Sequence, residues 1–314
     1  MKAFLSMAWT ALSLVGACAV AACSGKTGGG SSPSGPVSAD VQTGIGPIPL
    51  SAGQETTLCV VQPLNNADDM VLTGFDMNLA EGSHHLLVYL TDAQEADTPY
   101  PCAPFTGVAI GNDVPLAFAN TDHVSFAFPD GVAMDIPANS MVKIEAHYIN
   151  TTQGDLQGQG TVTLHGTTKA SALTYQPANF LAFGTFNINI PPNATYSTGP
   201  IFQAPEAGMH LVLITTHEHR LGTRAQVWSS VAAGDMSNQI ADDKDWANPA
   251  WKVLPSQVDF DGTNGLTFQC DWTNTTDQTI TFGESALDEM CIVAGYYYPS
   301  QGVYGCIDGH CKFR

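Results

Sequence analysis

The chain has 314 residues, 44% of them hydrophobic, enough to build more than one core of ordinary size. Only 12% are charged, and 10 basic against 29 acidic residues leave a net charge of −19, which argues against nucleic acid or an anionic membrane surface as a partner. With 30 glycines and 19 prolines, the composition favours short strands joined by turns over helices.

Lys2 followed by the apolar stretch from Ala3 to Ala22 reads as a secretory signal over residues 1–22, not as a mature transmembrane helix. Val20-Ala21-Ala22-Cys23 has the form of a bacterial lipobox, in which Cys23 would become the lipidated first residue. The Ser-, Gly- and Pro-rich run that follows, over residues 23–41, cannot bury enough apolar surface to fold and reads as a flexible tether. The expectation is an extracytoplasmic protein held by a lipid anchor at an outer membrane or cell surface. Asn150, Asn193 and Asn274 lie in glycosylation sequons, which would matter only in a eukaryotic secretory pathway.

From Val41 to Gly166 short alternating segments recur between turn signals, among them Leu86 to Leu90, Phe126 to Phe128, Val142 to Tyr148 and Thr161 to Leu164. The pattern restarts near Leu173, with Phe186 to Ile190, His210 to Thr216, Ala225 to Trp228, Gly265 to Trp272, Thr279 to Phe282 and Met290 to Tyr298. This predicts an all-β protein of two consecutive antiparallel sandwiches with jelly-roll character, residues 42–168 and 169–314.

Candidate metal ligands fall inside these strands. His84 and His85 are adjacent, so a regular strand would point them to opposite faces; both can serve one metal only if the backbone is irregular, which Gly82-Ser83 makes plausible. His147 shares a strand face with Lys143 and Glu145, and is thereby placed on the polar side. His217 and His219 share a face near a strand end, so two imidazoles project together. Met290 would ordinarily be core packing, but a thioether beside two imidazoles favours soft Cu(I) over zinc.

The order His84-His85, then His147-Tyr148, then His217-x-His219-x-Leu221-Gly222, then Glu289-Met290-Cys291 followed by Tyr297-Tyr298-Pro299 resembles the type II copper, ascorbate-dependent monooxygenases, from about Cys59 to Pro299. The resemblance implies two copper ions per chain. His84, His85 and His147 would hold an electron-transfer copper in the first domain, and His217, His219 and Met290 a catalytic copper in the second. Ascorbate or a similar reductant, dioxygen and a small organic substrate would be the partners, with electrons crossing a cleft between distant sites. It also implies disulfides Cys59–Cys102 and Cys270–Cys291. Cys306 and Cys311, which have no counterpart in the family, read as a third bridge closing a small loop rather than as a metal site with His310.

Members of the family that amidate peptides grip the substrate carboxylate with an arginine before the His-x-His pair and an asparagine and a tyrosine after the methionine. Thr215, Ile292 and Ala294 stand in those places here, which argues against a peptide carboxylate and suggests a less polar cleft reaching to Tyr296–Tyr298. Two alternatives use the same residues: a non-catalytic copper-binding lipoprotein that stores, senses or scavenges metal, and a hydrolytic zinc site. Met290 speaks against the second.

Overall fold

A computed structural model describes residues 37–105 and 112–314; the signal segment, Cys23 and most of the tether lie outside those residues. In the first half the strands are β1 (Val41–Leu50), β2 (Glu55–Pro63), β3 (Met70–Leu79), β4 (Ser83–Thr91), β5 (Ala96–Pro101), β6 (Val114–Ala119), β7 (His123–Ala127), β8 (Val132–Ile136), β9 (Met141–Ile149), β10 (Leu156–Thr168) and β11 (Gln176–Pro177). In the second they are β12 (Asn179–Gly184), β13 (Asn189–Ile190), β14 (Ala194–Ser197), β15 (Ile201–Gln203), β16 (His210–His217), β17 (Gly222–Ser230), β18 (Gln239–Asp243), β19 (Lys252–Asp259), β20 (Gly265–Asn274), β21 (Ile280–Thr281), β22 (Ile292–Tyr298), β23 (Tyr304–Ile307) and β24 (His310–Phe313). One short 3-10 turn, Lys169–Ser171, is the only helical element among the described residues, and none of them forms a helix long and apolar enough to cross a membrane.

The protein is all-β, as its composition and alternating patterns predict. A sheet ordered β1-β10-β3-β8-β11, with β7 also on β3, faces a second ordered β5-β2-β9-β4-β6. Phe75, Met77 and Leu79 from the first meet Leu86, Val88, Ile144 and Tyr148 from the second. In the second half a sheet ordered β19-β16-β22-β12-β23-β24 packs Leu211, Ile214, Val293 and Tyr297 against Val227, Phe268 and Trp272 of a sheet ordered β14-β20-β17-β18, with β15 also on β20.

The other face of that six-stranded sheet is not free. Leu213, Ala294 and Tyr296 belong to the same buried cluster as Leu116, Phe126 and Phe128 of the first half. Tyr296 stacks on Phe126 at 6.0 Å between ring centres, meets Phe128 edge-on at 5.0 Å, and donates its hydroxyl to the Leu116 carbonyl at 3.0 Å. The less polar cleft expected along Ala294 and Tyr296 is therefore packed core.

Several local features depart from the sequence reading. Phe186–Ile190 is mostly not strand, because Asp308 at the tip of the β23–β24 hairpin accepts hydrogen bonds from the Thr185 hydroxyl and the Phe186 amide. Residues 37–40, at the end of the tether segment, already run beside β10, with Ala39 donating to the Gly166 carbonyl and Thr168 to the Val37 carbonyl. The sequon asparagines Asn150 and Asn274 are buried turn-builders. Each carboxamide oxygen accepts from the amide and hydroxyl of the threonine two residues on, and each amide group reaches carbonyls of neighbouring segments. The same Asn-Thr-Thr turn thus closes β9 in one half and β20 in the other.

All three disulfides, Cys59–Cys102, Cys270–Cys291 and Cys306–Cys311, are formed, which fits an oxidising, extracytoplasmic setting.

Candidate metal centre

The backbone irregularity required by the His84-His85 pair is present. Ser83 lies opposite Tyr148 and His85 opposite His147, so His84 is an extra residue bulged out of the β4–β9 ladder. Gly82 just before it adopts a φ of +85° and its carbonyl accepts from the Ile149 amide. The bulge returns both imidazoles to one side, where the ring centres of His84, His85 and His147 lie 5.0–5.3 Å apart.

β16 ends on His217, and His219 follows two residues beyond it. Leu213, Thr215 and His217 alternate towards the first half, while Ile214 faces the second core and the Thr216 hydroxyl donates to Asp243 at 2.8 Å. His217 and His219 stand 5.1 Å apart, ring centre to ring centre. The two sets are not distant: His84 lies 5.7 Å from His219 and 6.1 Å from His217, and His85 lies 6.0 Å from His217. Five imidazoles form one cluster where the halves meet, not two sites across a gap, because the shared core draws the sheets together.

His85, His147, His217 and His219 are at most 3% exposed. The polar side of β9 is thus covered and not solvated: Phe105 packs 4.8 Å from His85 and 6.0 Å from His217, and Phe118 6.0 Å from His217. Burial drives the His85 and His217 pKa values well below the usual histidine value. It takes His84 to about 3, helped by the His219 and His147 charges, and His219 to about 4. At neutral pH all these rings are neutral, with lone pairs free for a metal.

Seven imidazole nitrogens are buried without a hydrogen-bond partner: Nε2 of His84 and His219, Nδ1 of His147, and both nitrogens of His85 and His217. An orphaned buried polar atom costs about 1–3 kcal/mol, so converging so many on one point is costly unless a cation satisfies them. Donor atoms of His84, His85 and His147 all lie within 4.8 Å of one another, as do those of His84, His217 and His219. The donor set fits copper.

Three acidic residues not singled out as functional by the sequence hold this arrangement. Glu55 accepts from His147 Nε2 at 2.9 Å and from the Ala286 amide at 3.0 Å, which leaves Nδ1 of His147 for the metal. Burial raises the Glu55 carboxyl, yet these hydrogen bonds hold it below the usual range overall. Glu289, wholly buried, accepts from the His219 and Leu221 amides at 2.9 and 2.8 Å and from Trp272 Nε1 at 2.9 Å. His219 Nδ1 donates to the Asp288 carbonyl at 3.1 Å, leaving Nε2 free. Met290, 4% exposed, follows directly on this clamp. Glu145 accepts from the Phe105 amide at 2.8 Å and from the Tyr89 hydroxyl at 3.2 Å, fixing the aromatic wall beside His85. Burial lifts both Glu145 and Glu289 to about 7. The signal available in the sequence was position: Glu145 and Glu289 sit two and one residues before a candidate ligand.

Residues 187–311, which include His217, His219 and Met290, match the family model described as the copper type II ascorbate-dependent monooxygenase C-terminal domain. That stretch of the chain is similar to the C-terminal domain of the type II copper, ascorbate-dependent monooxygenases. A human relative named "Putative DBH-like monooxygenase protein 2" is 24% identical over 254 residues, 71% of this chain and 48% of the relative, so the chain spans about half the relative's length. Among solved structures, a chain from the Sulfolobus Turreted Icosahedral Virus aligns over 82% of this chain and 59% of its own at 11% identity and a TM-score of 0.24, too loose a likeness to carry an argument. Of the three acids only Glu55 bonds an imidazole ring; the His219 ring is held by the Asp288 carbonyl, and Glu289 and Glu145 fix the backbone and aromatic wall around the cluster.

Proposed function

We propose that this chain is a type II copper monooxygenase that hydroxylates a small organic substrate, using dioxygen and a reductant such as ascorbate. The observation that supports the reading most is the convergence of buried, unpartnered imidazole nitrogens in a chain whose residues 187–311 are similar to this family. His84, His85 and His147 would hold one copper; His217, His219 and Met290 would hold a second. Copper supplies reversible one-electron chemistry and the activation of dioxygen when bound.

The protein's own residues prepare that chemistry. Glu55 keeps the proton of His147 on Nε2, and the Asp288 carbonyl keeps that of His219 on Nδ1, so the opposite nitrogens face the metals. Phe105 and Phe118 exclude water from the inner side of the cluster, while Trp246, 6.0 Å from His84, stands at its less buried edge. No arginine stands at position 215, where peptide-amidating members of the family grip a carboxylate, which favours a neutral substrate. Cys23 as a lipid anchor and an extracytoplasmic location complete the proposal.

The test is copper analysis followed by oxygen uptake with ascorbate across a panel of neutral organic substrates, with mass detection of products bearing one added oxygen. Two coppers per chain and substrate-dependent uptake are expected. Met290→Leu, which keeps an apolar side chain but removes the thioether, should fold and bind metal yet lose turnover by more than about tenfold. Full copper loading with no product would point instead to a protein that stores or scavenges the metal, and selective zinc loading to a hydrolytic site.

A further inference from the structure

We infer that His84 is a ligand common to both metal sets, so that His84, His217 and His219 form a third, all-imidazole copper site that draws on both halves of the chain. The inference rests on the copper reading above and goes beyond it, because that reading gives His84 to the first set alone.

Three observations carry it. Donor atoms of His84, His217 and His219 lie within 4.8 Å of one another, as close a limit as that met by His84, His85 and His147. His84 is the one residue in both groups. Its backbone explains this: as the extra residue of a bulge it has no opposite partner on β9, so its side chain is not held to the ladder as those of His85 and His147 are. It is also the least buried of the five, and its Nε2 is unpartnered.

One nitrogen can serve one metal at a time. With His84 joined to His217 and His219, the first-half set would keep His85 and His147; with His84 back among them, the second set would depend on Met290 as its third donor. Exchange of a single imidazole then links the two centres. It also changes the second set from three nitrogens, which suit Cu(II), to two nitrogens and a thioether, which suit Cu(I).

The experiment isolates the second set in the full-length protein. In a His85→Ala/His147→Ala background, folding is checked by circular dichroism and one equivalent of Cu(II) is added. Pulsed electron paramagnetic resonance then counts the coordinated imidazoles, before and after a further His84→Ala change. We expect three imidazoles falling to two, with an altered copper hyperfine pattern and copper affinity weakened by at least about tenfold. An unchanged count and affinity would overturn the shared-ligand proposal while leaving the copper reading intact, whereas wild-type protein that binds no copper would remove both. If the double background does not fold, His147→Ala alone disables the first set and the same count decides.

Discussion

At the scale of single residues, one side-chain acid and one backbone carbonyl decide which nitrogen of His147 and of His219 is offered. Glu55 joins His147 to the loop that leads towards Met290, so Glu55→Ala should free the ring and the loop together. Orienting partners of this kind typically matter 10- to 100-fold in metal affinity; a loss in that range, measured by competition with a copper chelator, is expected, with little change in melting temperature because Glu55 is partly exposed. Glu289→Ala should differ. It orphans the His219 and Leu221 amides and the Trp272 indole in a dry interior, at about 1–3 kcal/mol each, so denaturant titration should show a stability loss of at least about 3 kcal/mol.

Glu218 lies between His217 and His219, 3% exposed, and burial raises its pKa to about 9 with help from the charges of Glu289, Asp271 and Asp243. Its folded value lies above its unfolded one, so the protonated form favours folding. That contribution is fully present below about 4.5 and is lost as pH rises towards 9. Melting of the copper-free protein between pH 5 and 9 should therefore decline more steeply in the wild type than in Glu218→Gln; parallel curves would show that the carboxyl is ionised and solvated. These acids were visible in the sequence only as neighbours of ligands. Alternation alone put Glu145 and His147 on an outer, polar face, and only the packing of Phe105 against that face turned it into an interior.

At the scale of elements, most of the ladder was legible from period-two alternation: β9, β16, β17 and β20 lie where the pattern predicts. Strands too short to show a period, such as β13 and β21, were not separable from their surroundings, and the segment after Gly184 was misread because its partner, Asp308, is remote in sequence. The bulge at His84 was foreseen from two adjacent candidate ligands and a preceding glycine, a case where the expected chemistry pointed to the backbone. Close strand approach can be tested at Gly74 of β3, where an added Cβ would lie 2.4 Å from the Phe126 carbonyl oxygen, a backbone atom that cannot swing aside. Gly74→Ala should cost about 2 kcal/mol or more, and should disturb Phe126, which supports Tyr296 across the join.

At the scale of the whole molecule, the sequence indicated two sandwiches but not that they would share a core. Nothing in the alternation of β22 distinguishes a face turned to solvent from one turned to another sheet, yet Ala294 and Tyr296 are buried against the first half. The cost of that shared core falls on the substrate, because the face read as a cleft is filled. Unfolding should proceed in one transition, with near- and far-ultraviolet circular dichroism coinciding, and Tyr296→Ala should destabilise both halves at once, by about 3–5 kcal/mol in denaturant titration. Bound copper should add about 2.7 kcal/mol of stability at a free concentration of 100 Kd.

The ladder between β1 and β10 pairs Val41 with Leu164, at opposite ends of the first half. No local hairpin can stand in for it, so the sandwich that presents His84, His85 and His147 closes only when distant stretches of chain find each other. Topologies of that kind fold in milliseconds to seconds, not microseconds. The metal set is therefore assembled late, and copper offered during refolding would meet scattered imidazoles before it met a centre.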